Sequence, residues 1–136
     1  AGSYQGRRYW LKGEKAGTDD IFSANLAGFP DNITIAADGG FWLALIKPRN
    51  KTVDALSNCP TLRLMSSRLP QSLLPVGPAF SHVVKLNENG EVVQSLQDPE
   101  AKLQNITSAI EHQGLLFLGS LSDSKAASFR LSALPN

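Results

Sequence analysis

The sequence predicts an all-β chain of the propeller type, amounting to about two four-stranded blades and not a closed ring. Three observations carry that expectation. Short strand-like runs recur with hairpin spacing through most of the 136 residues. Two of the turns between them, Asp38-Gly39-Gly40 and Glu88-Asn89-Gly90, place glycine where a tight hairpin needs positive φ. A strand-turn-strand unit followed by Asn-Ile-Thr occurs twice, at Asn32-Ile33-Thr34 and Asn105-Ile106-Thr107, 73 residues apart.

Taken in order, Arg7–Lys12 reads as a first strand stopped by Gly13, and Asp20–Leu26 as a second, half-buried one. Asn32–Ala37 and Phe41–Ile46 form a hairpin across Asp38-Gly39-Gly40. His82–Asn87 and Glu91–Leu96 form another across the Asn-Gly turn. Asn105–Glu111 and Leu115–Ser120 follow, split by Gln113-Gly114, and Ala127–Leu131 is a last short strand, the ninth. The rhythm breaks at residues 47–79, which hold Pro48, Pro60, Pro70, Pro75 and Pro78. Val53-Asp54-Ala55-Leu56 and Leu62-Arg63-Leu64-Met65 read there as short helical turns, so the segment is expected to be a partly helical insertion. Without these roughly 30 residues the repeat shortens to about 40–45, the size of one propeller blade.

Lettering blade strands a to d from the axis outwards, the order is c, d, then a, b, c, d, then a, b, c. Antiparallel neighbours bring the d–a and b–c connections to one face. Asp31 and Asn32 fall in a d–a connection, at the mouth of the central channel, and the insertion overhangs the same mouth. Their side chains are hard oxygen donors of the kind calcium takes. One complete blade between two partial ones cannot close a channel. The expected partners are therefore either missing blades or further copies of the chain that close the open edges.

Composition narrows the function classes. The formal net charge is +1, from 13 basic and 12 acidic residues, which gives no electrostatic case for nucleic acid or an anionic membrane surface. Arg7-Arg8 is the only adjacent basic pair and reads as a strand-edge pair. The single cysteine, Cys59, excludes an internal disulfide and is framed by no His or acid pattern that would make it a nucleophile. No apolar run approaches the roughly 20 residues of a membrane helix. No leader pattern is read at the start.

Few other residues compete for a site. His82 opens a strand near the expected functional face and is the weak candidate for a general base; the catalytic residue is otherwise open. His112 and Asp38 belong to hairpin ends and read as structural, as does Trp42, placed between blades. Leu62, Leu64 and Met65 read as cover for the core. Of three Asn-x-Thr sequons, Asn32 and Asn105 are expected on inner strands, leaving Asn50 as the glycosylation candidate.

Several stretches resemble one family. Arg8-Tyr9-Trp10-Leu11-Lys12-Gly13-Glu14-Lys15-Ala16-Gly17-Thr18, Gly28-Phe29-Pro30-Asp31-Asn32-Ile33 and Gly40-Phe41-Trp42-Leu43-Ala44 are similar to the strictosidine synthase-like family. So are Gly90-Glu91-Val92, Leu96-Gln97-Asp98-Pro99-Glu100 and Glu111-His112-Gln113-Gly114-Leu115-Leu116-Phe117-Leu118-Gly119-Ser120. The resemblance implies a six-bladed β-propeller of which this chain is the C-terminal portion. It implies a wider kinship with paraoxonase- and gluconolactonase-type calcium hydrolases, with Asp31 as a metal ligand and Asn32 as the neighbouring asparagine. It implies hydrolysis of esters or lactones and so a small-molecule substrate, calcium as cofactor, and a secretory-pathway location in the ER, vacuole or cell surface. Any membrane association would come through a missing N-terminal region. The glutamate that the condensing enzyme of this family uses as its acid–base is replaced by Thr107, whose hydroxyl cannot cycle a proton near neutral pH. That departure speaks against amine–aldehyde condensation. A non-catalytic binding module or truncated copy is the other alternative.

Overall fold

The computed structural model describes residues 4–49, 80–100 and 102–133, and nine strands lie among them. Strands β1 (Gly6–Tyr9) and β2 (Asp19–Ser23) form a two-stranded sheet. Strands β3 (Gly28–Ile35), β4 (Phe41–Pro48), β5 (His82–Leu86) and β6 (Val92–Gln97) form a four-stranded sheet in chain order. Strands β7 (Ile106–His112), β8 (Leu115–Ser120) and β9 (Ala127–Arg130) form a three-stranded sheet, followed by one 3-10 turn at Leu131–Ala133. Every pairing is antiparallel. The described residues are all-β, and their two-, four- and three-stranded sheets are those of a partial propeller: one whole blade between two incomplete ones.

The middle sheet is sandwiched, and its sequence shows why. β4 carries an unbroken apolar run because both of its faces are covered. Trp42 and Ala44 point into a cluster with Ile106, Ala109, Leu116 and Leu118 of the three-stranded sheet. Leu43 and Leu45 point the other way, into a cluster with Tyr4, Leu26, Val84 and Leu86, against which Phe22 of β2 packs. β5 divides its residues likewise, Val83 to one side and Val84 and Leu86 to the other. β6, the outermost strand of this sheet, is exposed or half-exposed throughout. At about 25 cal/mol per Å² of apolar surface removed from water, the two clusters are the main stabilising feature of the chain.

The hairpins close as their residues require. Asn87 Oδ1 accepts the backbone N–H groups of Asn89 and Glu91, at 3.0 and 2.9 Å, which turns the chain at Gly90 with φ +82°. Gly90 also carries the contact between sheets, since its Cα lies against the backbone of Phe22 in β2. In the first sheet Arg8 and Asp20 are cross-strand partners and form a two-pronged ion pair at 3.1 and 3.0 Å, and Trp10 Nε1 donates to the same carboxylate. Arg7 pairs with Asp19. The basic pair is thus the strand-edge feature the sequence indicated, its charges met from within.

Strand ends differ from the sequence-based ones by a few residues, and one difference moves a boundary. β4 continues to Pro48, with Lys47 opposite Phe29, so the segment expected as an insertion from residue 47 begins inside a strand. Residues 50–79 lie outside the described residues. With them go the expected helical turns, Asn50, Cys59, Leu62, Leu64 and Met65.

Candidate functional site

Asp31 and Asn32 lie inside β3, not in the connection before it as expected. Pro30 stands opposite Leu45 and Ile33 opposite Leu43, so the two residues between them face the single residue Ala44. That is a β-bulge, one extra residue on β3. Pro30 carries no N–H for the ladder, which favours the irregularity at this place. The bulge has a chemical consequence. In a regular strand, neighbours point to opposite faces, so two adjacent side chains are not presented together. With the bulge, both remain exposed.

The neighbouring inner strand fixes one of them. Asn32 Nδ2 donates to the carbonyl of Thr107 on β7 at 2.9 Å, and Thr34 Oγ1 donates to the carbonyl of Ala109 two residues on. Side chains of β3 therefore clip its edge to the edge of β7. The Asn32 amide is oriented by that bond, and its Oδ1 accepts no hydrogen bond among the described residues. The Asp31 carboxylate makes no hydrogen bond or ion pair among the described residues. Thr107 is half-buried, and its hydroxyl reaches the Gly119 carbonyl at 3.5 Å. Asn105 holds φ +50° just before β7 and donates to Ser122 Oγ at 3.0 Å.

The two Asn-Ile-Thr copies both belong to innermost strands, yet they are not superimposable places. Ile33 is half exposed, whereas Ile106 is fully buried. Asn32 sits within its strand and Asn105 ahead of its own.

His82 is placed otherwise. It is 3% exposed and faces the cluster of Val84 and Leu86, with its Nε2 2.8 Å from Ser95 Oγ and its ring edge-on to Phe80. It shares a cross-strand row with Leu45 and Pro30, which puts it two strands, about 10 Å, outward from the bulge. Burial pushes its pKa below the ordinary imidazole value. The structure does not bring it together with Asp31 and Asn32. His112 is exposed at the end of β7, by the far hairpin.

At that far end Glu111 gathers a group the sequence did not single out. Its Oε2 accepts Trp42 Nε1 at 2.7 Å and the N–H of Ala37 at 3.3 Å, joining the middle and last sheets. Lys85 donates to Asp38 at 2.7 Å and stands 5.3 Å from the Trp42 ring. The Lys85 bond holds the Asp38 carboxyl below its usual range against a smaller opposing effect of burial. A fully buried indole needs an acceptor, so a partner for Trp42 was foreseeable even though Glu111 was not.

Two oxygen donors suit calcium in kind and fall short in number, because the ion takes six to eight. Among the described residues no group of three or more His, Cys, Asp or Glu side chains forms a metal cluster. Further ligands would have to come from outside these residues. Among the described residues no helix is long and apolar enough to cross a membrane.

No family model matches the chain. Over 123 residues, 85% of its length, the chain is 41% identical to protein strictosidine synthase-like 3 of Arabidopsis thaliana, of which it covers 31%. Over 121 residues, 84% of its length, it is 35% identical to the adipocyte plasma membrane-associated protein of Bos taurus and 34% identical to that of Homo sapiens, covering 29% of each. The chain thus spans about a third of the length of the curated relatives it matches.

Proposed function

From its standing as a strictosidine synthase-like chain over 84–85% of its length, we propose that this protein supplies one sector of a propeller that hydrolyses esters or lactones with calcium. The observation that carries the reading is the bulge opposite Ala44. Two adjacent oxygen-bearing side chains, Asp31 and Asn32, are exposed there on an innermost strand, and bulges of this kind re-aim side chains at sites. Asp31 would hold the ion through its carboxylate and Asn32 through Oδ1, with Thr107 steadying the asparagine amide. Bound there, calcium would supply Lewis-acid polarisation of a substrate carbonyl. Thr107 carries no acid–base function of its own, which favours hydrolysis over condensation.

The test is a chimera in which this chain replaces the 121 matched residues of the bovine relative, compared with the same chimera carrying Asp31→Ala. The expected result is calcium-dependent hydrolysis of phenyl acetate in the first, and at least a tenfold loss of both rate and calcium affinity in the second, since an uncompensated ligand loss costs on the order of 1.4 kcal/mol or more. Equal calcium affinity and rate in the two would overturn the assignment. A chimera that folds but neither binds calcium nor cleaves esters would support the second reading, a non-catalytic binding module.

The relatives from cattle and human are named as plasma membrane-associated, which supports a secretory route. On that route Asn50 would be the glycan acceptor.

A further inference from the structure

One polar group of the middle sheet has no part in the calcium reading. On β5 and β6, His82 stands opposite Gln97 and Val84 opposite Ser95, so these side chains share one face. The first sheet meets this hairpin at its turn, where the Phe22 backbone lies against Gly90. At the other end of β6, Ser95 and Gln97 are exposed, while His82, one strand inward, is buried.

The atoms are arranged for proton transfer. Ser95 Oγ lies 2.8 Å from His82 Nε2. Gln97 Nε2, which can only donate, lies 3.4 Å from the same ring nitrogen and 3.5 Å from Ser95 Oγ. Two donors beside Nε2 favour the tautomer with that nitrogen unprotonated and the proton on Nδ1. The Ser95 hydroxyl then donates to it. Burial lowers the His82 pKa, which keeps the ring neutral at pH 7.5 and able to take a proton. Phe80 packs edge-on to the imidazole at 5.6 Å and limits its rotation. A buried imidazole needs a hydrogen-bond partner, and a backbone carbonyl would meet that need without any chemistry. The partner here is a hydroxyl that solvent also reaches, beside an amide whose own contacts are long.

We propose that Ser95 is a nucleophile activated by His82, and that the pair accepts acyl groups from neutral, activated esters at a site separate from Asp31 and Asn32. Ser95 Oγ attacks the ester carbonyl carbon as its proton passes to His82 Nε2. The bond to the leaving alkoxide or phenoxide then breaks, and that group takes the proton from Nε2, which leaves an acylated Ser95. Water reverses the step: it attacks the acyl carbon, gives a proton to Nε2, and that proton returns to Ser95 Oγ as the acid departs. The Gln97 amide is within reach of the oxyanion that forms on the attacked carbonyl. Among the described residues no Lys or Arg hydrogen-bonds to these three side chains, which favours a neutral ester over an anion. The inference goes beyond the calcium reading and does not depend on it.

The experiment treats the 136-residue chain with diisopropyl fluorophosphate at pH 7.5, with EDTA present throughout. The probe replaces the ester: Ser95 Oγ attacks phosphorus, fluoride leaves with the proton, and the phosphorylated serine is stable. The expected result is one diisopropylphosphoryl group per chain, placed on Ser95 by peptide mass. Ser95→Ala should abolish the labelling. His82→Gln should slow it about a hundredfold or more, the usual worth of a general base. Gln97→Ala, an exposed substitution, should slow it at least tenfold. No labelling, labelling at another residue, or equal rates with and without His82 would each overturn the proposal. If His82→Gln misfolds, the unsubstituted chain decides: Ser95 labelled as fast in denaturing urea as in buffer would overturn it as well. Because EDTA removes calcium in every arm, failure here leaves the Asp31 assignment standing, and failure of that assignment leaves this one.

Discussion

Replacing Gly90 by alanine tests the contact that seats the first sheet on the second. Gly90 holds φ +82°, a region that costs an L-residue about 1–2 kcal/mol. A methyl group there would also overlap the Phe22 carbonyl oxygen and lie 2.7 Å from its carbonyl carbon, where real Cβ atoms keep beyond 3.0 Å. The obstacle is backbone, so relief requires β2 to move. Forced overpacking of that kind adds about 1–3 kcal/mol. The expected total is about 2–5 kcal/mol, a large share of the 5–15 kcal/mol typical of a domain. Gly114→Ala is the internal control: its φ is +74°, but nothing lies within 4 Å of the added carbon, so only the conformational part applies. Urea unfolding followed by tryptophan fluorescence gives both losses, and amide exchange should show β1 and β2 loosening in Gly90→Ala alone. Equal destabilisation of the two variants would refute the claim that the first sheet is held by close approach at this turn.

Two further outcomes follow from the same structure. Because burial lowers the His82 pKa from 6.5, the unfolded chain binds the proton more readily; stability should be complete above that value and fall as pH drops below it, and His82→Gln should flatten the urea midpoint between pH 7.5 and 5.5. Trp42→Phe should cost about 1–3 kcal/mol by stripping the indole N–H from Glu111, and a double-mutant cycle with Glu111→Leu should recover part of that loss.

Much of the architecture was legible because it is local. The Asn87-Glu88-Asn89-Gly90 turn and the Asp38-Gly39-Gly40 turn fix where the chain reverses, and the run from Phe41 to Ile46 is too apolar for any strand with a wet face. The order of partial, whole and partial blade follows from counting such strands, and the two-, four- and three-stranded sheets have that count. The site was less legible. Asp31 and Asn32 were placed in a connection, because a bulge is a property of register between two strands and only Pro30 hints at it. His82 read as close to the functional face, whereas its parity on β5 turns it into the cluster with Val84 and Leu86.

The amino-acid order alone determined the strand rhythm, the hairpin turns and the kinship, since each depends on residues near one another in the chain. Tertiary structure decided which neighbour each side chain meets: Asn32 with Thr107, Trp42 with Glu111, Gly90 with Phe22. Those partners are tens of residues apart, and a shift of one residue in strand register would exchange the buried face for the exposed one.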